Sequence, residues 1–193
     1  LFRSTTILRK RSRASAEKYQ KIWTEEGSPL VAITASLERG LNDYYAEQGL
    51  PVVVRAGMSY GKPSLKRAVK ELKEEGCTEL VVLPMYPQSA FSTTGSVGDG
   101  VAKAVRRARF KGDVRLVDGY GEDATYVRAV AASIRNAGFS EESGDRLLFS
   151  FHSIPLKDIE AGDTYELQTG ATSLAVAGEL GLDRRSWTIS YQS

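Results

Sequence analysis

The chain has 193 residues, with 26 Lys and Arg against 24 Asp and Glu and a formal net charge of +2, so no global positive field points to a nucleic acid partner. At 41% hydrophobic residues it can bury a core of one or two domains and is not a disordered polyelectrolyte. One cysteine, Cys77, excludes an intrachain disulfide and a cysteine-built metal site within these residues, and no apolar run approaches the roughly 20 residues that a membrane-spanning helix needs.

In chain order, the opening LFRSTTILRKRSR is basic and hydroxyl-rich, like a targeting peptide. Helices are expected over Ala14–Trp23, Leu30–Gln48, Ser64–Glu75, Val97–Arg109, Ala124–Ala137 and Tyr165–Leu180. Strand patterns stand at Val52–Met58, Leu80–Leu83, Val114–Val117, Leu147–Phe151 and Trp187–Tyr191. Such alternation argues for βαβ units and a largely parallel sheet. Gly76, Gly138 and Gly181 follow helical runs at C-cap positions, and Pro63 stands where a helix begins. The arginines 106, 107 and 109 close the fourth helical run, where the macrodipole favours cations. Ser140–Asp145, polar and glycine-containing, is the best domain boundary.

Two segments carry the chemistry. Leu80–Leu83 is a continuous apolar run, the mark of a strand covered on both faces. It leads into Tyr86, Gln88, Ser89, Ser92, Thr93, Thr94 and Ser96, which crowd donors and acceptors at a strand's carboxyl end, where open α/β sheets bind ligands. The competing reading is a plain helix start in which Ser92–Ser96 satisfy free backbone N–H groups. Arg146–Pro155, RLLFSFHSIP, repeats the layout, and its polar group is His152, the only histidine of the chain. A neutral imidazole serves as a metal ligand or as a base near neutral pH, and it also serves as a structural hydrogen-bonding group.

LPMYPQ, STTGS, FHSIP, GDTYELQ and the closing YQS, together with the earlier IWTEEGSPL and MSYGKPS, resemble in order and separation the segments of the ferrochelatase family. These enzymes are type II chelatases, lyases that insert ferrous iron into a porphyrin in haem biosynthesis. The resemblance implies an α/β fold of two Rossmann-like lobes with parallel sheets, facing each other across a porphyrin cleft. Residues 1–142 would be the first lobe, nearly complete but without its opening strand, and 143–193 the beginning of the second. It implies that the chain is incomplete, that the second metal-site carboxylate lies past Ser193, and that the 193-residue piece alone does not turn over. It also places the basic start inside the mature domain, against targeting.

The resemblance aligns His152 with the family's site histidine, as metal ligand or proton acceptor. Tyr86 and Ser92 match pocket residues, Ile154 and Pro155 the turn against the ring, and Tyr191 an aromatic position suited to stacking. Packing with a satisfied hydroxyl is the plainer role for Tyr86 and Tyr191. Arg11, Tyr19 and Ser28 match propionate contacts, with Tyr60 a further one; a guanidinium holds a carboxylate bidentately. Gly162, Asp163 and Tyr165 are expected to be scaffold, with Asp163 as N-cap and Glu166 completing a capping box. Gln168 and Thr169 are expected to be solvated. Ser59 stands where some relatives carry arginine, and Phe91 where some carry a cysteine that binds an iron–sulfur cluster, so this position supplies no cluster ligand.

The partners implied are porphyrin, protoporphyrin IX or coproporphyrin III, and ferrous iron as substrate, with no organic cofactor and no nucleic acid. A reducing, cytoplasmic location suits the single cysteine, with peripheral membrane contact and oligomeric state left open. A cobalt or sirohydrochlorin chelatase and a non-catalytic tetrapyrrole-binding α/β module are the alternatives.

Overall fold

The computed structural model describes residues 16, 19–25 and 27–193. It divides into two compact units, 1–77 and 78–193.

In the first unit, α1 spans Pro29–Glu47, with Pro29 in the first turn after Ser28, a position where a missing N–H is harmless. Helix α2 spans Leu65–Glu74, capped by Ser64, whose Oγ accepts from Arg67 N at 3.3 Å. Pro63 therefore stands one residue ahead of the cap and not inside the helix. The helix buries Ala68 and Val69. Of the helix expected over Ala14–Trp23, Ala16, Tyr19 and Gln20 are helical, and most of its first half lies outside the described residues.

Val52–Met58 is not a ladder strand; its one pairing among the described residues is a bridge from Met58 to Ser64. The physical reason lies in α1, whose side chains take the place of a neighbouring strand. Asn42 Oδ1 accepts from Val54 N at 2.9 Å while its Nδ2 donates to Val54 O at 3.1 Å, and Glu38 Oε2 accepts from Ala56 N at 2.8 Å. Arg55 then joins Glu75 at 2.5 Å, with Glu38 and Glu71 at 4.0 and 3.9 Å.

The second unit runs β1 (Glu79–Val82), a π-turn (Phe91–Gly95), α3 (Ser96–Ala108), β2 (Asp113–Leu116), α4 (Ala124–Asn136), β3 (Leu147–His152), α5 (Leu156–Glu160), α6 (Tyr165–Leu180) and β4 (Trp187–Gln192). Strands β1 and β2 pair in parallel from Glu79↔Asp113 to Val82↔Leu116, and β3 and β4 from Leu147↔Trp187 to His152↔Gln192. The expected parallel pairing holds, as two separate two-stranded sheets. The left-handed glycines after α2, α4 and α6 also stand as expected: Gly76, Gly138 and Gly181 have φ of 84°, 88° and 73°.

Coverage on both faces of β1 does not hold. Leu80 is 5% exposed, but Val81 and Leu83 on the alternate side are 53% and 51% exposed. Helix α3 buries its own stripe of Val97, Val101 and Ala104, while β1 shows a one-sided burial pattern. Strand β3 likewise alternates half-buried and exposed residues, with Phe149 set edge-on to Trp187 at 5.7 Å between ring centroids.

The division between the two compact units falls at 77/78. Within the second unit, helices α4 and α6 pack together. Val127, Ala131, Val176 and Ala177 are all buried on them, and Arg135 Nη2 donates to Glu179 O at 2.6 Å.

Two glycines predict opposite stability effects. Gly40 lies within α1 with nothing inside 4 Å of an added Cβ, so Gly40→Ala should stabilise the protein by about 0.5–1 kcal/mol through helix propensity. Gly112 passes so close to Thr78 O that a Cβ would overlap it, so Gly112→Ala should destabilise by about 1–3 kcal/mol. Urea unfolding of both variants beside the wild type checks the pair of signs.

Candidate functional site

The polar loop after β1 is held from two directions. The carbonyl of Pro87 accepts from Tyr120 N at 2.9 Å and Gly121 N at 2.8 Å, and Gly121 is bare because a Cβ there would overlap Thr172 Oγ1. On the other side stands α6. Gln88, 8% exposed, donates from Nε2 to Thr172 Oγ1 at 3.0 Å. Ser89 N donates to Gln168 Oε1 at 2.9 Å, and Gln168 Nε2 donates to Ser89 Oγ at 3.0 Å and to Thr164 Oγ1 at 2.8 Å. Asp163 Oδ2 then accepts from Phe91 N at 2.7 Å while its Oδ1 accepts from Tyr165 N at 2.9 Å.

Phe91 opens the π-turn, whose five residues are FSTTG. A wide turn at a helix start is a frequent mark of functional sites. The competing role of the hydroxyls as simple caps is not realised, since no side chain caps the turn or α3. Ser92 is exposed in the turn, and Tyr86 in the preceding loop is 45% exposed. Thr94 is 2% exposed, and its Oγ1 has no hydrogen-bond partner among the described residues.

At the end of β3, His152 is exposed, paired in register with Gln192. Its Nδ1 lies 2.7 Å from Ser153 O. A carbonyl oxygen only accepts, so Nδ1 carries the hydrogen and the neutral ring leaves Nε2 with a free lone pair. Ile154 is half-buried, and Pro155, exposed, is the N-cap residue of α5. Tyr191 has the satisfied hydroxyl of the plainer role, sharing a 2.6 Å hydrogen bond with Thr169 Oγ1, while the residue is 41% exposed and its ring packs at a tilt on Phe151.

The remaining positions belong to the first unit. Tyr19 and Tyr60 are 59% and 89% exposed, and Ser28 precedes α1 with its side chain making no cap bond. Arg11 lies outside the described residues. Among the described residues, no group of three or more His, Cys, Asp or Glu lies together as a metal cage, and no helix is long and apolar enough to cross a membrane.

Sequence reasoning missed the role of α6. Gln168 is half-buried and bonded to the loop, and Thr169 is fully buried, so neither is the solvated residue expected. Asp163 does serve the start of α6, but Thr164 is the N-cap residue and the carboxylate also reaches Phe91. The available signal was the spacing of Gln168 and Thr172, four apart on one helical face.

The ferrochelatase family matches residues 2–193. The chain is 40% identical over 187 residues to ferrochelatase of Aeromonas hydrophila subsp. hydrophila, covering 97% of this chain and 58% of that protein. It is 40% identical over 188 residues to ferrochelatase of Thioalkalivibrio sulfidiphilus, covering 97% and 51%, and 40% identical to that of Haemophilus influenzae strain Rd, covering 97% and 57%. The chain belongs to the ferrochelatase family. It spans a little over half the length of these curated relatives.

Burial raises the hydroxyl pKa of Tyr120, with Tyr126 adding to it, and burial also raises that of Tyr126. Tyr165 is raised by burial and by neighbouring Tyr191. Each folded pKa lies above the unfolded value of 10.0, so above that pH the unfolded chain binds fewer protons than the folded one and unfolding becomes easier. Stability should hold up to about pH 10 and fall beyond it, and Tyr120→Phe should flatten that fall. Denaturant unfolding at a series of alkaline pH values measures both slopes; equal slopes for the two proteins would contradict the assignment.

Proposed function

We propose that this protein acts as a ferrochelatase, a lyase inserting ferrous iron into protoporphyrin IX or coproporphyrin III during haem biosynthesis. The observation that carries the reading is the family match over 2–193, which includes the chain's one imidazole, at a strand's carboxyl end with Nδ1 against Ser153 O.

Metallation exchanges two pyrrole protons for one divalent ion, so the site must accept protons and deliver a partly dehydrated cation. Nε2 of His152 is the working atom for either task, because Nδ1 is committed to Ser153 O. The exposed ring of Tyr191 and the turn Ile154–Pro155 supply apolar surface for the macrocycle. Tyr86 and Ser92 offer hydroxyls from the loop after β1, and Arg11, Tyr19, Ser28 and Tyr60 are assigned to the propionates. Iron enters as substrate and no organic cofactor is required. Phe91 in place of cysteine means that this position ligates no iron–sulfur cluster. A cytoplasmic location agrees with one free cysteine, Cys77. The lobes of the reading are 1–142 and 143–193.

The test uses the full-length protein, in a porphyrin fluorescence titration beside an anaerobic iron-insertion assay on the same preparation. His152→Ala is expected to abolish insertion while porphyrin still binds, because ring contacts come from apolar and aromatic neighbours. Near-normal insertion by the variant would make the histidine structural. A wild type that binds porphyrin and inserts no iron would favour a non-catalytic tetrapyrrole-binding module.

A further inference from the structure

Helix α6 touches both halves of the site in the second unit. Three loop residues in succession along the chain, Gln88, Ser89 and Phe91, are bonded to Thr172, Gln168 and Asp163. The same helix holds Tyr191 through Thr169 at 2.6 Å, and Tyr191 lies one residue before Gln192, the register partner of His152. The bonds to Ser89 and Phe91 are made by backbone N–H groups, so they fix the path of the main chain whatever side chains the loop carries. Asp163 is 6% exposed, and a buried carboxylate with one of its N–H partners withdrawn is costly.

We infer that Asp163 and Gln168 are positioning residues of the metallation site: they clamp the loop and its π-turn onto α6, setting where Ser92 stands relative to the helix that also anchors Tyr191. Neither residue touches substrate. Asp163 sets the entry to the π-turn at Phe91, and Gln168 holds Ser89 at both its N–H and its hydroxyl, through its amide oxygen and its amide nitrogen. The clamp is a statement about the folded chain; its consequence for catalysis rests on the ferrochelatase reading.

The full-length protein tests both parts. Asp163→Asn keeps the shape of the side chain but puts an amide NH2, a donor, where one of the two carboxylate oxygens accepts, so in the same orientation Phe91 N or Tyr165 N loses its partner. Hydrogen–deuterium exchange across Ser89–Gly95 is expected to quicken about tenfold in Asp163→Asn and in Gln168→Ala, with β3 and β4 unchanged. Gln168→Glu retains an acceptor for Ser89 N and should restore protection. In iron insertion, Asp163→Asn should raise the porphyrin KM about tenfold and leave the KM for ferrous iron near the wild-type value. Unchanged exchange in Ser89–Gly95 overturns the clamp. Quickened exchange throughout 78–193, without recovery in Gln168→Glu, overturns it as well, because the residues would then hold only the fold. A wild type that inserts no iron removes the catalytic consequence and the ferrochelatase reading together, while the exchange data still decide the clamp.

Discussion

The carboxylate of Asp163 accepts hydrogen bonds from two elements far apart in sequence, Tyr165 N at the start of α6 and Phe91 N at the start of the π-turn. A carboxylate in a 6% exposed position needs such partners, because an ionised group removed from water without them is expensive. Two charge-assisted bonds from fixed N–H groups answer that need, each on the order of 1.5–3 kcal/mol. The geometry that satisfies the charge is the geometry that seats the loop.

The same trade recurs along α6. Thr169, Thr172 and Ser173 are buried on a helix that also buries Val176 and Ala177. Buried hydroxyls are tolerated there because each finds a partner: Thr169 bonds to Glu166 O and Tyr191, Thr172 to Gln88, and Ser173 to Thr169 O. A helix packed only by aliphatic groups would bury as much surface but would not discriminate between loop conformations. A polar interface does, since any shift of the loop leaves donors unpaired. From α6 the arrangement reaches β4 through Tyr191, and β4 fixes β3 by parallel register up to His152. The placement of a single imidazole thus rests on backbone pairing at one end and on hydroxyl and amide contacts at the other.

What the sequence made legible was local. Helical periodicity located α1, α2, α3, α4 and α6 to within a residue or two, and the glycines at 76, 138 and 181 marked three C-termini correctly. Apolar runs also marked β1 to β4, but they could not reveal how many layers cover a strand, so the exposure of Val81 and Leu83 went unanticipated. Val52–Met58 carries a strand pattern, yet what pairs with it is the side chains of Asn42 and Glu38 on a helix. Within the site, His152 stood out because it is unique and closes a strand. Gln168 and Thr169 did not, because their partners Ser89 and Tyr191 lie 79 and 22 residues away in the chain, and spacing within one helix marks a shared face without naming what that face meets.

The loop after β1 is docked on α6 by specific polar contacts, and the buried amide of Gln88 against Thr172 Oγ1, 84 residues apart, isolates one of them. A double-mutant cycle with Gln88→Met and Thr172→Val, each close to its parent in shape, reads the coupling directly from denaturant unfolding. A coupling energy of about 0.5–1.5 kcal/mol is expected, the net worth of a neutral buried hydrogen bond. Additive effects, with no coupling beyond about 0.3 kcal/mol, would contradict it and leave the loop without the anchor assigned to it.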